Sequence, residues 1–203
     1  IADGPINGCS EQLYKGYKIF ACGAKLYKQI DTTDPVEIYS GISNIKTYFF
    51  AFGEYLYIKN GVEFLVYDGT TVSAVVPYNP IVSINRKPDG SESTVSESWN
   101  MLSSGFRDQF NADGATKIYK LSFTGLDADT VSAVVNAVTI TEGSGLTVDR
   151  TAGTVTFGTA PAAGTANVII LGHKTIAGNK DKIIKCIKGI EFSNRIFLWG
   201  NTD

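Results

Sequence analysis

Histidine is almost missing: His173 stands alone in 203 residues. A zinc site gathers three or four nitrogen or sulfur ligands. The three cysteines, Cys9, Cys22 and Cys186, lie far apart with no Cys-x-x-Cys pair. An odd count leaves one thiol over in any disulfide scheme. Cys22 and Cys186 sit in apolar runs and read as small buried side chains. A Ser-His-Asp triad would have to recruit His173, and no Gly-x-Ser-x-Gly elbow is present. His173 therefore reads as a surface or strand-end residue. Charge is scarce as well, at 19% of residues with a net of −2 and a pI near 5.5. Such a balance provides no field to draw in nucleic acid or an anionic membrane. No apolar run approaches the roughly 20 residues of a membrane helix, and no charged start leads into an apolar block.

Paired carboxylates could still do acid–base work without histidine. Glu54, Glu63, Asp127, Asp129 and Asp149 are the candidates, and each lies in a turn-like or alternating strand context better explained by solvation. The expected site is accordingly empty of catalytic, cofactor-binding or metal-binding residues, and the chain is not expected to be an enzyme.

What the sequence does have is glycine and aromatics: 21 Gly, 10 Tyr and 11 Phe. With abundant Val and Thr, this composition points to an all-β chain long enough to bury its own core. Lys18–Cys22 and Lys25–Ile30 flank Gly23-Ala24 as a hairpin; Tyr55–Ile58 and Phe64–Tyr67 flank Asn60-Gly61 as another. Val36–Tyr39, Lys46–Phe52 and Val72–Val76 supply further strands. Overlaying Lys18–Gly23, Tyr55–Gly61 and Arg195–Asn201 reveals a repeat: aliphatic, aromatic, apolar, then Gly or Asn-Gly. The first two copies start about 37 residues apart, within the range of four-stranded propeller blades. The third is far displaced, so a second body is inserted between.

Pro77, Pro80, Pro88 and Ser91–Ser98 read as a junction. Trp99, Leu102, Phe106 and Phe110 fall near helical spacing and suggest a short helix or irregular cover. From Thr116 alternation takes over. Tyr119, Leu121 and Phe123 share one face, Val131–Val135 and Val138–Thr141 flank an Asn136-Ala137 turn, and Leu146–Asp149 pairs with Thr154–Phe157. Ala166–Leu171 closes a set that suits a small antiparallel sandwich. Blade-like sequence resumes at Lys182–Ile187, where the lysines of Lys180–Lys188 read as an exposed strand face. The expected division is 1–85 plus 180–203 as a propeller-like body, 86–104 as a linker, and 105–177 as the inserted β-sandwich. Arg195–Trp199 has no hairpin partner after Gly200, so an open sheet edge is expected, in a piece of a longer protein.

Two stretches resemble modules of bacteriophage virion proteins. Asn100–Ser104 with Phe106, Phe110 and Asp113-Gly114 is one. Leu146–Phe157, followed by Ala160-Pro161-Ala162-Ala163-Gly164, is similar to the β-sandwich repeats of phage tail and neck proteins. Asn136-Ala137 stands where Asn-Gly is more usual. The resemblance implies a prophage or phage structural protein whose propeller-like body carries an immunoglobulin-like insert. It would be assembled in the bacterial cytoplasm into the virion, without catalysis or cofactors. Its implied partners are other virion subunits, a second copy in a homo-oligomer, or a host-surface glycan, with no nucleic acid and no membrane insertion. A carbohydrate-binding or adhesion module, with aromatic platforms under sugar rings, is the alternative.

Overall fold

The computed structural model describes residues 4–201. Thr202 and Asp203, which follow the third copy of the sequence repeat, lie outside the described residues. About half the chain is strand and 3% is helix, so the all-β expectation holds. The chain divides into two compact units: one runs up to Val76 and resumes at Gly178, and the other is Pro77–Ala177.

The first unit opens with two antiparallel meanders. Strands β1 (Ile6–Cys9), β2 (Lys18–Cys22), β3 (Lys25–Gln29) and β4 (Val36–Ser40) form one sheet. Strands β5 (Tyr48–Phe52), β6 (Tyr55–Lys59), β7 (Phe64–Tyr67) and β8 (Val72–Ala74) form the other. The hairpins fall where the turn chemistry places them. Asn60 Oδ1 accepts from the Val62 and Glu63 amides at 2.9 and 2.8 Å, the self-bonding that makes Asn a turn residue. Side chains alternate across each strand. One face of each sheet, including Ile19, Ala21, Leu26, Phe49, Leu56, Ile58 and Leu65, meets the other in a shared core. Gly8 lets the sheets approach: a Cβ there would lie 1.9 Å from the Thr47 carbonyl oxygen, and the Thr47 amide donates to Asn7 O at 2.9 Å.

The second unit is a single nine-stranded sheet. Its strands are β9 (Ile81–Arg86), β10 (Thr94–Val95), β11 (Gly105–Ala112), β12 (Ile118–Lys120), β13 (Ser132–Val135), β14 (Val138–Glu142), β15 (Gly145–Asp149), β16 (Thr154–Phe157) and β17 (Gly164–His173). They lie in the order β10-β9-β11-β17-β13-β14-β15-β16-β12. Pairing is antiparallel except for β9–β11 and β14–β15. The sheet curls into a half-barrel around Phe106, Phe110, Tyr119, Val155, Phe157 and Ile170. Phe110, Tyr119 and Phe157 meet edge to face, with centroids 5.2 and 5.1 Å apart, the geometry that aromatic quadrupoles favour. Residues 86–104, expected as a linker, carry the Lys87–Ser91 turn and β10 within this unit. The helical spacing of Phe106 and Phe110 is corrected: both point inward from β11. A separation of four residues suits a strand as well as a helix.

The chain then returns to the first unit through helix α1 (Asn179–Ile184) and the antiparallel pair β18 (Cys186–Phe192) and β19 (Arg195–Asn201). The expected strand at Lys182–Ile187 is thus helical up to Ile184, and the strand begins at Cys186. Gly178, left-handed at φ 77°, turns the chain into that helix. The partner of β19 precedes it rather than following Gly200. All three copies of the sequence repeat are the second strand of their sheet, and β5 lies against both β1 and β18. Gly189 makes the last approach possible, since a Cβ there would meet the Phe50 ring at 2.4 Å.

Candidate functional site

The β18–β19 ribbon has two unlike faces. Register puts Lys188 opposite Trp199, Ile190 opposite Phe197 and Phe192 opposite Arg195, so these six side chains share one face. The other face carries Gly189 and Leu198 toward Phe50. On the outward face Ile190, Phe192, Phe197 and Trp199 are 52, 65, 48 and 45% exposed. Single exposed apolar residues are ordinary, but four large ones on one short ribbon form a patch. Among the described residues β19 has no strand on its outer side, leaving a row of backbone donors and acceptors available.

Beside the patch a cleft of about 630 Å³ is lined by Glu11, Tyr14, Tyr48, Lys188, Glu191 and Trp199, among others. Lys46 and Lys188 place their ammonium groups 5.3 and 5.0 Å from the Tyr48 ring centre. The hydrogen bond from Lys46, aided by the charge of Lys188, lowers the Tyr48 phenol below its ordinary range.

Lys59 anchors the ribbon's helix from below. Its side chain is fully buried and donates to Ile183 O and Ile184 O at 3.0 and 2.7 Å. Its ammonium lies 4.9 Å from the Phe64 ring centre. Desolvation lowers its pKa to about 8, with Cys186 and Glu63 pulling the other way. Carbonyls at the end of a helix lack intrahelical partners, and Lys59 satisfies two of them.

In the half-barrel a polar seam replaces a continuous ladder. Asp108 is fully buried among the inward residues of β11. Its carboxylate accepts from the Ser122 amide and hydroxyl, both at 2.6 Å. Arg86 donates to Lys120 O at 2.9 Å and Leu121 O at 3.2 Å, and the Lys120 amide donates to Pro88 O at 2.8 Å. These bonds join the two ends of the curled sheet. Burial raises the Asp108 carboxyl above the usual carboxylate range, against the lowering effect of Ser122 and Arg86. Against this seam lies a groove of about 370 Å³ that includes Ser83, Arg86, Trp99 and Phe123.

The structure does not bring the candidates named from the sequence into one site. His173 ends β17, its Nδ1 3.3 Å from Ser104 Oγ. Cys22 and Cys186 are buried, Cys9 is exposed, and all three are free thiols. Glu63 caps its own neighbourhood, accepting from the Ser43 amide and hydroxyl at 3.1 and 2.6 Å. Asp127 accepts from Thr175 at 2.7 Å, and Asp149 from the Ala152 amide at 2.9 Å. The Glu54 and Asp129 backbone carbonyls accept from Tyr14 and Arg150 at 2.6 and 3.3 Å. Among the described residues no cluster of three His, Cys, Asp or Glu side chains could hold a metal. Sequence reasoning missed Lys59 and Asp108, whose only local signal is a charge at an inward strand position.

No family model, curated protein or solved structure matches this chain.

Proposed function

We propose that this chain is a non-catalytic structural component of a phage or prophage particle, of tail or neck type, acting through protein–protein contacts. The observation that carries the reading is the outward apolar face of the β18–β19 ribbon beside an open strand edge. Aromatic residues on a rigid β scaffold make good contact surfaces, and an open edge accepts a strand from a neighbour. The intended occupant is another virion subunit with a complementary apolar surface. The virion assignment itself rests on the resemblance of Asn100–Gly114 and Leu146–Gly164 to phage modules.

In the same reading, the first unit is a propeller-like body with two four-stranded blades and the opening pair of a third. Three features support it: each repeat copy is a second strand, the first strand β5 lies against the first strands β1 and β18, and the blade faces are glycine-relieved. The second unit is a sandwich-like insert whose sheet folds over to face itself.

The test is particle composition. Particles banded on a density gradient should contain the chain in fixed stoichiometry by quantitative mass spectrometry. The double variant Phe197→Ser/Trp199→Ser should be lost from particles while keeping the native circular dichroism spectrum. Particles devoid of the chain, or full incorporation of that variant, would refute the proposal.

A further inference from the structure

We propose that the groove at the seam of the half-barrel is a binding site for a neutral pyranose ring, separate from the contact surface of the β18–β19 ribbon. The groove measures about 370 Å³, within the roughly 300–1,000 Å³ that small-molecule sites occupy.

Its apolar wall is pre-set. Trp99 packs at 65° to Phe123 with centroids 4.1 Å apart, and Phe123 packs in turn on the buried Phe106 at 4.6 Å. The chain after Trp99 is tied down by Asn100, which donates to Tyr78 O at 2.7 Å and accepts from the Leu102 amide at 2.8 Å. An indole carries partial negative charge on its face, which suits the weakly positive C–H face of a sugar ring.

The polar side of the groove holds an unmet demand. Ser83 lines it, is only 4% exposed, and its hydroxyl has no hydrogen-bond partner. A buried hydroxyl left unpaired costs about 1–3 kcal/mol; it is closed off from solvent within the groove, and a turn about χ1 on ligand entry lets a ligand hydroxyl, both donor and acceptor, answer it. At the rim, Glu97 spends one carboxylate oxygen on the Ile81 amide at 2.6 Å. Its other oxygen engages no protein donor among the described residues and can accept from a second ligand hydroxyl.

Charge selects against acids. Arg86 is committed to the seam, to Lys120 O, Leu121 O and, at 3.4 Å, Ser122 Oγ. Behind Ser122 stands Asp108, and Glu97 lies at the rim. One guanidinium against two carboxyl groups leaves nothing to recruit phosphate or a carboxylate. A ring with hydroxyls on its rim and C–H groups on its face matches both walls.

The probes are methyl α-D-mannopyranoside, methyl β-D-glucopyranoside and methyl β-D-galactopyranoside, titrated into the full chain carrying Trp199→Phe so that Trp99 is the sole indole. At least one should give saturable saturation-transfer NMR signals and a matching fluorescence change, with Kd of about millimolar order, typical of a single small ring. Trp99→Leu, read by NMR alone, should weaken binding roughly tenfold, and Ser83→Ala a few-fold, in line with one lost stacking contact or hydrogen bond. Ser93→Trp, on the exposed rim, should block the groove without touching the core, and sodium phosphate should not compete. The proposal falls if the folded protein binds none of the three glycosides, if phosphate displaces them, or if Ser93→Trp and Trp99→Leu both bind as tightly as the parent.

Discussion

Replacing Lys59 with Met tests how the returning segment is held to the rest of its unit. Lys59 is fully buried, and desolvation brings its pKa from 10.5 to about 8. That difference, at 1.36 kcal/mol per pH unit, corresponds to about 3 kcal/mol of penalty for keeping the ammonium charged inside the fold. Its two bonds to Ile183 O and Ile184 O work against that penalty, each worth about 1.5–3 kcal/mol as a charged donor. At pH 7 the two effects largely offset, so Lys59→Met should destabilise by between zero and about 3 kcal/mol. The pH dependence is the sharper signal. Between the folded and unfolded pKa values the unfolded chain holds more protons, so stability rises with pH through that window. The penalty is full below about pH 8 and fades toward 10.5. From pH 7.5 to 9.5 the parent should therefore gain about 2 kcal/mol relative to Lys59→Met. Urea unfolding in a Trp99→Phe background reads the first unit through Trp199, and the other titrating groups are common to both proteins. Identical pH slopes in the two proteins, or a parent that loses stability over this range, would refute the reasoning.

Three further outcomes follow from the described geometry. Asp108→Ala removes the acceptor of the Ser122 amide and hydroxyl; it should cost about 3 kcal/mol and, in a unit of this size, lower its calorimetric Tm by roughly 10–20 °C, with a normal Tm contradicting the seam's role. Ala137 sits at φ 66° in the turn after β13, where a Cβ is strained, so Ala137→Gly should stabilise by about 0.5–1 kcal/mol in chemical denaturation. A loss of stability there would contradict the strain argument. Without a partner, the outward face and open edge of β19 should drive concentration-dependent self-association in light scattering, abolished by Phe197→Lys; a strictly monomeric parent at high concentration would show that edge to be already protected.

The hairpins were legible because their turns are written in local chemistry: Gly23, Asn60-Gly61 and the Asp149–Gly153 loop each need a conformation or a self-bond that few residues provide. The repeat was legible for the same reason, since its phase marks the second strand of each sheet. Strand β11 was not. Phe106 and Phe110 satisfy helical and strand periods alike, and the residue between them that would have decided, Asp108, is the charge an inward position should not have. Helix α1 was obscured by its length, six residues with no buried side chain, too short for a periodic stripe. The candidate surfaces depend on tertiary pairing. Nothing local to Trp199, Phe197 or Trp99 says which of their faces stays uncovered, and Ser83 resembles any strand serine until its neighbours are in place.

The bond from Lys59 to Ile184 O spans 125 residues of sequence, which turns a packing detail into a matter of timing. On a ribosome adding about 5–20 residues per second, Lys59 and Phe50 emerge roughly 6–25 s before the segment that covers them. The inserted unit, whose strands pair only among themselves, can finish folding during that interval. The first two sheets meanwhile wait with an aromatic face bare and a buried-type cation still in water. A Lys on that face keeps the waiting surface charged and hydrated, a safeguard against premature association that is withdrawn only when the helix carbonyls arrive.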